Sequence, residues 1–329
     1  MPGRVTELSE SRRRYLQAGF VLVGKYEVVQ HVASGGFGDV YEARDLNLQR
    51  PVAIKLLQQR FTDHDDVKNS FFQEARALAR LRNPHVVEVY DVGSLGDRIW
   101  IAMEFLEGRT LRDELEEDEV FDVARALKYT IAVLGAIAAA HEQGIVHRDV
   151  KPENVFVDGE RVLLGDFGTA KVLSAARPHA HKVVGTAGYM SPEQTRLEAV
   201  DARSDLYAVG LVLYEMLAGR SALVVTPGIG LDQVLSLHLK GPTPLDQVAG
   251  WIPANVAAIV AKAIRVRPDK RFQTALQMQV DCQAALENLV PGTPSVRPLA
   301  GAEPQPDGLG EAQGRAAPAG PGRPMVMLI

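Results

Sequence analysis

From residue 67 to 81 the apolar positions Phe71, Ala75, Leu78 and Leu81 recur at three- and four-residue steps, which predicts an amphipathic helix with one face on a core. A longer helix is predicted over about 122–143, where Leu127, Ile131, Leu134 and Ala138 share a face and Gly144 is a stop signal. Residues 205–217 are nearly all apolar, so this stretch reads as a helix running through a core. Asp205 at its start suits an N-cap. Nearer the N-terminus, Ala33-Ser34-Gly35-Gly36-Phe37-Gly38-Asp39-Val40 lies between two apolar stretches and reads as the turn of a hairpin. It is followed by Val52-Ala53-Ile54-Lys55, a short apolar strand that ends in a lysine.

Composition bounds the function without choosing it. A chain of 329 residues with 46% apolar content can bury a large core, in one large domain or two average ones. The net charge of −5 argues against general nucleic-acid binding. A single cysteine, Cys282, cannot form an internal disulfide and fits a reducing compartment. The eight histidines make no zinc-ligand spacing. No stretch reads as long enough to cross a membrane and no signal peptide is visible, so a cytoplasmic location is expected. Residues 290–329 are rich in Pro, Gly and Ala, a composition that predicts a disordered tail.

The chemistry concentrates in His147-Arg148-Asp149-Val150-Lys151-Pro152-Glu153-Asn154-Val155-Phe156 and, a little further on, Asp166-Phe167-Gly168. In order these supply a carboxylate, an ammonium, an amide and a second carboxylate. Transfer of a phosphoryl group needs positioning, charge neutralisation and a group that orients the attacking hydroxyl more than it needs covalent help. Asp149 suits the orienting role, and Lys151 places a point charge where negative charge develops. Asn154 and Asp166 offer the hard oxygen ligands that Mg²⁺ prefers beside phosphates. Glycines in residues 33–40 would let backbone N–H groups approach phosphates closely, although a glycine-rich loop alone is weak evidence.

These residues resemble the catalytic and metal-binding loops of the eukaryotic-like protein kinases, and Lys151-Pro152-Glu153 resembles their Ser/Thr branch; Gly185-Thr186-Ala187-Gly188-Tyr189-Met190-Ser191-Pro192-Glu193 looks bacterial. The resemblance implies an α+β, two-lobed protein kinase fold with an ATP cleft between its lobes. A β-rich N-lobe would span about 25–103 and a larger helical C-lobe about 107–289, within a kinase domain at 25–289 preceded by an extension over 1–24. It implies that Lys55 binds the α- and β-phosphates and is held by Glu74, and that the Thr186 hydroxyl bridges Asp149 and Lys151. ATP would be bound by Ala33, Ser34, Gly35, Gly36, Phe37, Gly38, Val40, Ala53, Met103, Glu104, Leu106 and Phe156. Mg²⁺, with Mn²⁺ able to substitute, would sit on Asn154 and Asp166. Asp205 would anchor the catalytic-loop backbone, and Glu193 would form a buried ion pair with Arg271.

The activity implied is that of a serine/threonine protein kinase acting in signal transduction on protein substrates, itself among them, with a homodimer as one route to autophosphorylation in trans. The rivals are a pseudokinase scaffold, which would tend to have lost one of Lys55, Glu74, Asp149, Lys151, Asn154 or Asp166, and a small-molecule kinase, which would lack Ser191-Pro192-Glu193 and Arg271. Two departures stand out. Ala33 replaces the first glycine of the loop, for which modestly weaker ATP binding is expected. Residues 175–184 contain no Ser or Thr although Arg148 precedes Asp149, so loop phosphorylation is expected to be absent or shifted to Ser174.

Overall fold

The computed structural model describes residues 16–35, 38–58, 65–118, 120–167, 187–226 and 228–289, without the side chains of 65–67, 69, 70 and 74. Strands β1 (Val21–Leu22), β2 (Tyr26–Ser34), β3 (Gly38–Asp45), β4 (Arg50–Leu57), β5 (Val89–Leu95) and β6 (Arg98–Glu104) pair antiparallel in the order β1-β2-β3-β4-β6-β5. This first sheet is built around the central strands β3, β4 and β6, whose two faces are both largely covered. Helix α1 (Asp65–Leu78) crosses between β4 and β5 and buries Phe71, Ala75 and Leu78. The helix stops three residues short of the expected 81, and Leu81 is buried just beyond its end.

Because side chains alternate across a strand, the register sorts them into two layers. Tyr41, Ile54, Leu56 and Trp100 join Tyr26 and Val28 in a core on one face. Val40, Ala53 and Met103 fall on the other and pack against residues from the second lobe. Residues ahead of the expected start at 25 also pack on this sheet. Leu22 in β1 is fully buried and Leu16 packs on the same core, so part of the 1–24 stretch belongs to the sheet.

The second lobe begins at β7 (Arg109–Thr110), which pairs with β8 (Val155–Asp158) and through it with β9 (Arg161–Leu164). Helices α2 (Leu111–Glu117), α3 (Val123–Glu142), α4 (Pro192–Thr195), α5 (Ala202–Ala218), α6 (Leu231–Lys240), α7 (Leu245–Val248), α8 (Ala254–Ala263) and α9 (Ala275–Glu287) make up the rest. Thr110 and Asp113 cap α2 reciprocally, and Asp122 caps α3 through the Arg125 N–H. The buried face of α3 is broader than the predicted one. Ala126, Leu127, Thr130, Val133, Leu134 and Ile137 are buried, whereas Ile131 and Ala138 are only partly so.

By length and composition α3 could cross a membrane, contrary to the sequence expectation that no stretch could. Its apolar side chains are instead packed in the helical core. Helix α5 is buried continuously from Ser204 to Leu217. Asp201, not Asp205, is its N-cap, accepting from the Arg203 N–H, which leaves the Asp205 carboxylate for another task. The loop before α9 is tied to α4 by Arg271, whose Nη1 and Nη2 donate to Glu193 Oε1 and Oε2 at 2.7 and 2.8 Å. The remaining guanidinium donors reach the carbonyls of Arg203, Arg265 and Val266, so this buried charge is fully used.

Candidate active site

The loop joining α3 to β8 holds Asp149, and α5 fixes that loop from beneath. The Asp205 carboxylate accepts the backbone N–H of His147 at Oδ2 (2.9 Å) and of Arg148 at Oδ1 (2.7 Å), and His141 Nε2 donates to Oδ2 at 2.7 Å. Arg148 has φ 67°, a left-handed conformation that costs a non-glycine residue about 1–3 kcal/mol. The two Asp205 contacts and Gln194 Nε2, which donates to the Arg148 carbonyl at 2.8 Å, hold it there. His147 is fixed at both nitrogens. Nε2 donates to the Gly165 carbonyl at 2.8 Å and Nδ1 accepts the Asp149 N–H at 3.2 Å, so both ring nitrogens are engaged and the side chain is structural. It packs against Phe167, with ring centroids 4.4 Å apart.

Asp149 itself is half-exposed, its side chain 23% accessible. Lys151 Nζ lies 2.9 Å and Asn154 Nδ2 3.1 Å from the same oxygen, Oδ2. Among the described residues Oδ1 has no hydrogen bond in this arrangement and is the oxygen available to a hydroxyl. Asn154 spends its second amide proton on the Asp149 carbonyl at 2.7 Å, which turns its own side-chain oxygen away from the loop.

Across the cleft, Lys55 Nζ on β4 meets Asp166 Oδ1 at 2.8 Å, both side chains buried. Asp166 also has positive φ, at 58°. Among the described residues no group of three His, Cys, Asp or Glu side chains forms a ready-made metal site. Asn154 and Asp166 supply one amide and one carboxylate oxygen, a set that fits a hard divalent ion whose other ligands are phosphates and waters.

The apolar part of the cleft forms one cluster. Val40, Ala53 and Met103 from the N-lobe sheet, Leu106 from the connection, and Phe156 from β8 pack together with Val87 and Leu163, which sequence reasoning missed. The apolar run Val162-Leu163-Leu164 just before Asp166 was the available signal for Leu163, which pairs with Phe156. Val87 had none, since its neighbourhood is set by the long-range pairing of Val86 with Leu164. The cleft continues behind Lys55 to Phe71, Leu78 and Phe167. In the connection, the Glu104 carboxylate pairs with Arg161 at 2.9 Å. A Cβ on Gly108 would stand 1.9 Å from the Val157 carbonyl, so only glycine fits there. Ala33 lies in β2 opposite Val40 without positive φ, so alanine is unstrained in place of glycine. The Glu74 side chain, Gly36, Phe37, Thr186 and Ser174 lie outside the described residues.

A second polar cluster in the C-lobe was not foreseen. Arg112 on α2 donates to Glu153 (3.1 Å), Glu215 (2.9 Å) and the Tyr189 hydroxyl (2.6 Å), and Tyr189 in turn donates to Glu215. Burial, reinforced by the Glu215 charge, raises the Tyr189 hydroxyl's pKa, which keeps it a donor. The cluster links the catalytic loop, α2, α5 and the segment leading to α4.

The order and geometry of these groups define an ATP-dependent phosphotransferase of the two-lobed kind. Residues 26–281 match the protein kinase domain family, and the chain belongs to the protein kinase family. It is 40% identical over 276 residues to serine/threonine-protein kinase PknL of Mycobacterium tuberculosis, covering 82% of this chain and 67% of that protein. A probable serine/threonine-protein kinase of Clostridium perfringens, CPE1738, is 38% identical over 268 residues, and PrkC of Bacillus subtilis 34% over 269. Each match takes in 80% of this chain, and the chain spans only 39% and 41% of those two relatives. The crystal structure of the Mycobacterium tuberculosis PknI kinase domain superimposes with a TM-score of 0.67 at 26% identity, over 82% of this chain and 99% of that one. The kin are thus bacterial-type serine/threonine kinases, and a kinase domain of this kind uses ATP and generally a divalent metal.

Proposed function

We propose that this chain transfers the γ-phosphoryl group of ATP to Ser and Thr hydroxyls of proteins, its own among them. The observation that carries the reading is the Asp149 carboxylate, braced at Oδ2 by Lys151 and Asn154 on a loop that Asp205 pins, with Oδ1 open to a hydroxyl. The substrate hydroxyl donates to Asp149 as its oxygen forms the new bond to the γ-phosphorus. The bond from that phosphorus to the β–γ bridging oxygen breaks, ADP leaves, and the proton passes to the carboxylate. Lys151 stands beside the same carboxylate and offsets negative charge on the moving phosphoryl. Lys55 holds the α- and β-phosphates, and Val40, Ala53, Leu106 and Phe156 enclose the base.

Mg²⁺, or Mn²⁺ in its place, would be held by Asn154 and Asp166 and would neutralise phosphate charge when bound. Glu74 as the partner of Lys55 and Thr186 as a bridge between Asp149 and Lys151 belong to the same reading. The ATP supply and the lone cysteine, buried and with its thiol pushed up to about 12 by burial, support a cytoplasmic place for this domain. A homodimer acting in trans is supported by the exposed apolar side chains Val21 and Val29 on β1 and β2 and Phe20 and Val23 on either side of β1. Phosphatase-treated protein, given ATP and Mg²⁺ with a protein substrate, is expected to label Ser and Thr. Labelling of small alcohols alone would contradict the reading, and autophosphorylation per molecule independent of concentration would contradict the trans route.

A further inference from the structure

The glycine-rich turn is anchored by side chains on the sheet face away from the cleft. Ser34 and Asp39 are register partners at the base of the turn between β2 and β3, and the Ser34 hydroxyl donates to Asp39 Oδ1 at 2.7 Å. The same hydroxyl accepts from His31 Nε2 at 2.9 Å. The other oxygen of Asp39 takes Arg98 Nη2 at 3.0 Å. Arg98 opens β6, two strands away from β3, and reaches across the end of β4, where its Nε donates to the Leu57 carbonyl at 3.0 Å. One residue further, Gln58 Nε2 donates to the Gly35 carbonyl at 3.0 Å. Gly38 is pressed on the same strand end, for a Cβ there would stand 2.3 Å from the Leu56 carbonyl.

Alternation fixes what Asp39 faces. Val40 and its partner Lys55 point into the cleft, so Asp39 and its partner Leu56 point to the opposite face of the sheet. Asp39 is nonetheless only 7% exposed. A buried carboxylate this close to the turn is costly unless it is paired, and Arg98 and Ser34 supply the pairing.

We propose that Asp39 and Arg98 are positioning residues that set where Gly35 and Gly38, the two arms of the glycine-rich turn, stand relative to the nucleotide phosphates. The clamp ties both arms of the turn, at Gly35 and at Gly38 and Asp39, to the end of β4, the strand that carries Lys55, so these arms and the lysine are held together. A turn tied in this way has less freedom to lose when ATP binds, which offsets whatever contact is given up by having alanine at position 33. The inference rests on reading the cleft as an ATP site, and its test keeps the two apart.

Asp39→Asn, Arg98→Ala, Arg98→Lys and the double variant Asp39→Asn/Arg98→Ala, all in the full chain, are titrated with Mg²⁺ and the non-hydrolysable ATP analogue AMP-PNP below their melting temperatures, and assayed for phosphoryl transfer. Asp39→Asn and Arg98→Ala are expected to weaken AMP-PNP binding and raise KM for ATP about tenfold, leaving kcat within about twofold. Arg98→Lys keeps the charge but not the forked reach, and should fall between. The double variant should lose clearly less than the sum of the two single losses, as expected for one shared contact. Unchanged nucleotide affinity in folded variants, a loss confined to kcat, or additive effects would each overturn the proposal. A wild type that binds AMP-PNP but transfers nothing would refute the kinase reading while the binding titration still decides the clamp.

Discussion

Asp149 has a defined position because three other residues are satisfied around it. Asn154 and Lys151 brace one of its oxygens, and Asp205 holds the two preceding backbone N–H groups on a loop that carries positive φ at Arg148. Asp205→Asn keeps the shape but removes the charge from three hydrogen bonds, including that from His141, and its amide nitrogen can accept none of them. It is expected to lower kcat about ten- to a hundredfold in protein that is still folded, since each charge-assisted contact is worth about 1.5–3 kcal/mol and only part of the loss reaches the transition state. Initial rates beside thermal melts decide this; a folded variant with wild-type kcat would show that Asp205 does not hold the loop. At this scale the sequence was readable where chemistry is contiguous. Asp149, Lys151 and Asn154 lie within six residues of one another and could be assigned roles from residue type and order alone. Arg112 could not, because its partners Glu153, Tyr189 and Glu215 stand 41, 77 and 103 residues away.

Among the elements, helices with one apolar face were legible and those buried all round were only half so. The 3.6-residue period located α1 and α3, but α3 packs against both α5 and α9, so its buried surface exceeds any single stripe. Asp205 looked like a cap since it begins the apolar run, yet the helix starts a turn earlier at Ala202 and Asp201 caps it. The tie between α4 and the approach to α9 is the element-scale contact with the largest expected cost. Arg271→Ala would leave Glu193 buried without its partner, and the loss is expected to be about 3–5 kcal/mol. Arg271→Lys should recover only part of it, because an ammonium cannot fork to both oxygens and reach three carbonyls. Denaturant titration measures both, and an Arg271→Ala midpoint equal to that of the wild type would refute the buried-pair account.

Stability of the whole molecule should depend on pH through groups buried in the C-lobe. His238 is buried, with Nδ1 bonded to the Tyr207 hydroxyl at 2.7 Å and, among the described residues, no partner for Nε2. Burial lowers its pKa from 6.5 to about 4, with the Glu193 charge opposing and the Arg271 and Arg196 charges adding to the fall. The unfolded chain therefore takes up a proton near pH 6.5 that the folded chain refuses until about pH 4. Stability is lost as pH falls through that window, by roughly 3 kcal/mol from this one ring. His238→Gln retains an acceptor for Tyr207 and should flatten the dependence between pH 6.5 and 4.5; an unchanged slope would exclude His238 as its source. Glu193 acts in a lower window. Burial opposes its charge, but the Arg271 and Ser204 hydrogen bonds outweigh it and depress the pKa below the ordinary 4.5. Its contribution is complete above that value and is lost as pH falls through the depressed one.

Phosphoryl transfer itself is tested most directly by intact mass and phosphosite mapping of the phosphatase-treated chain after incubation with ATP and Mg²⁺, beside Asp149→Asn treated identically. Added phosphates on Ser or Thr are predicted in the wild type, and in the variant a rate lower by about a hundredfold or more. Equal phosphorylation of both proteins, or none in a wild type that binds ATP, would contradict the role given to Asp149 and with it the reading of this cleft as a working kinase site.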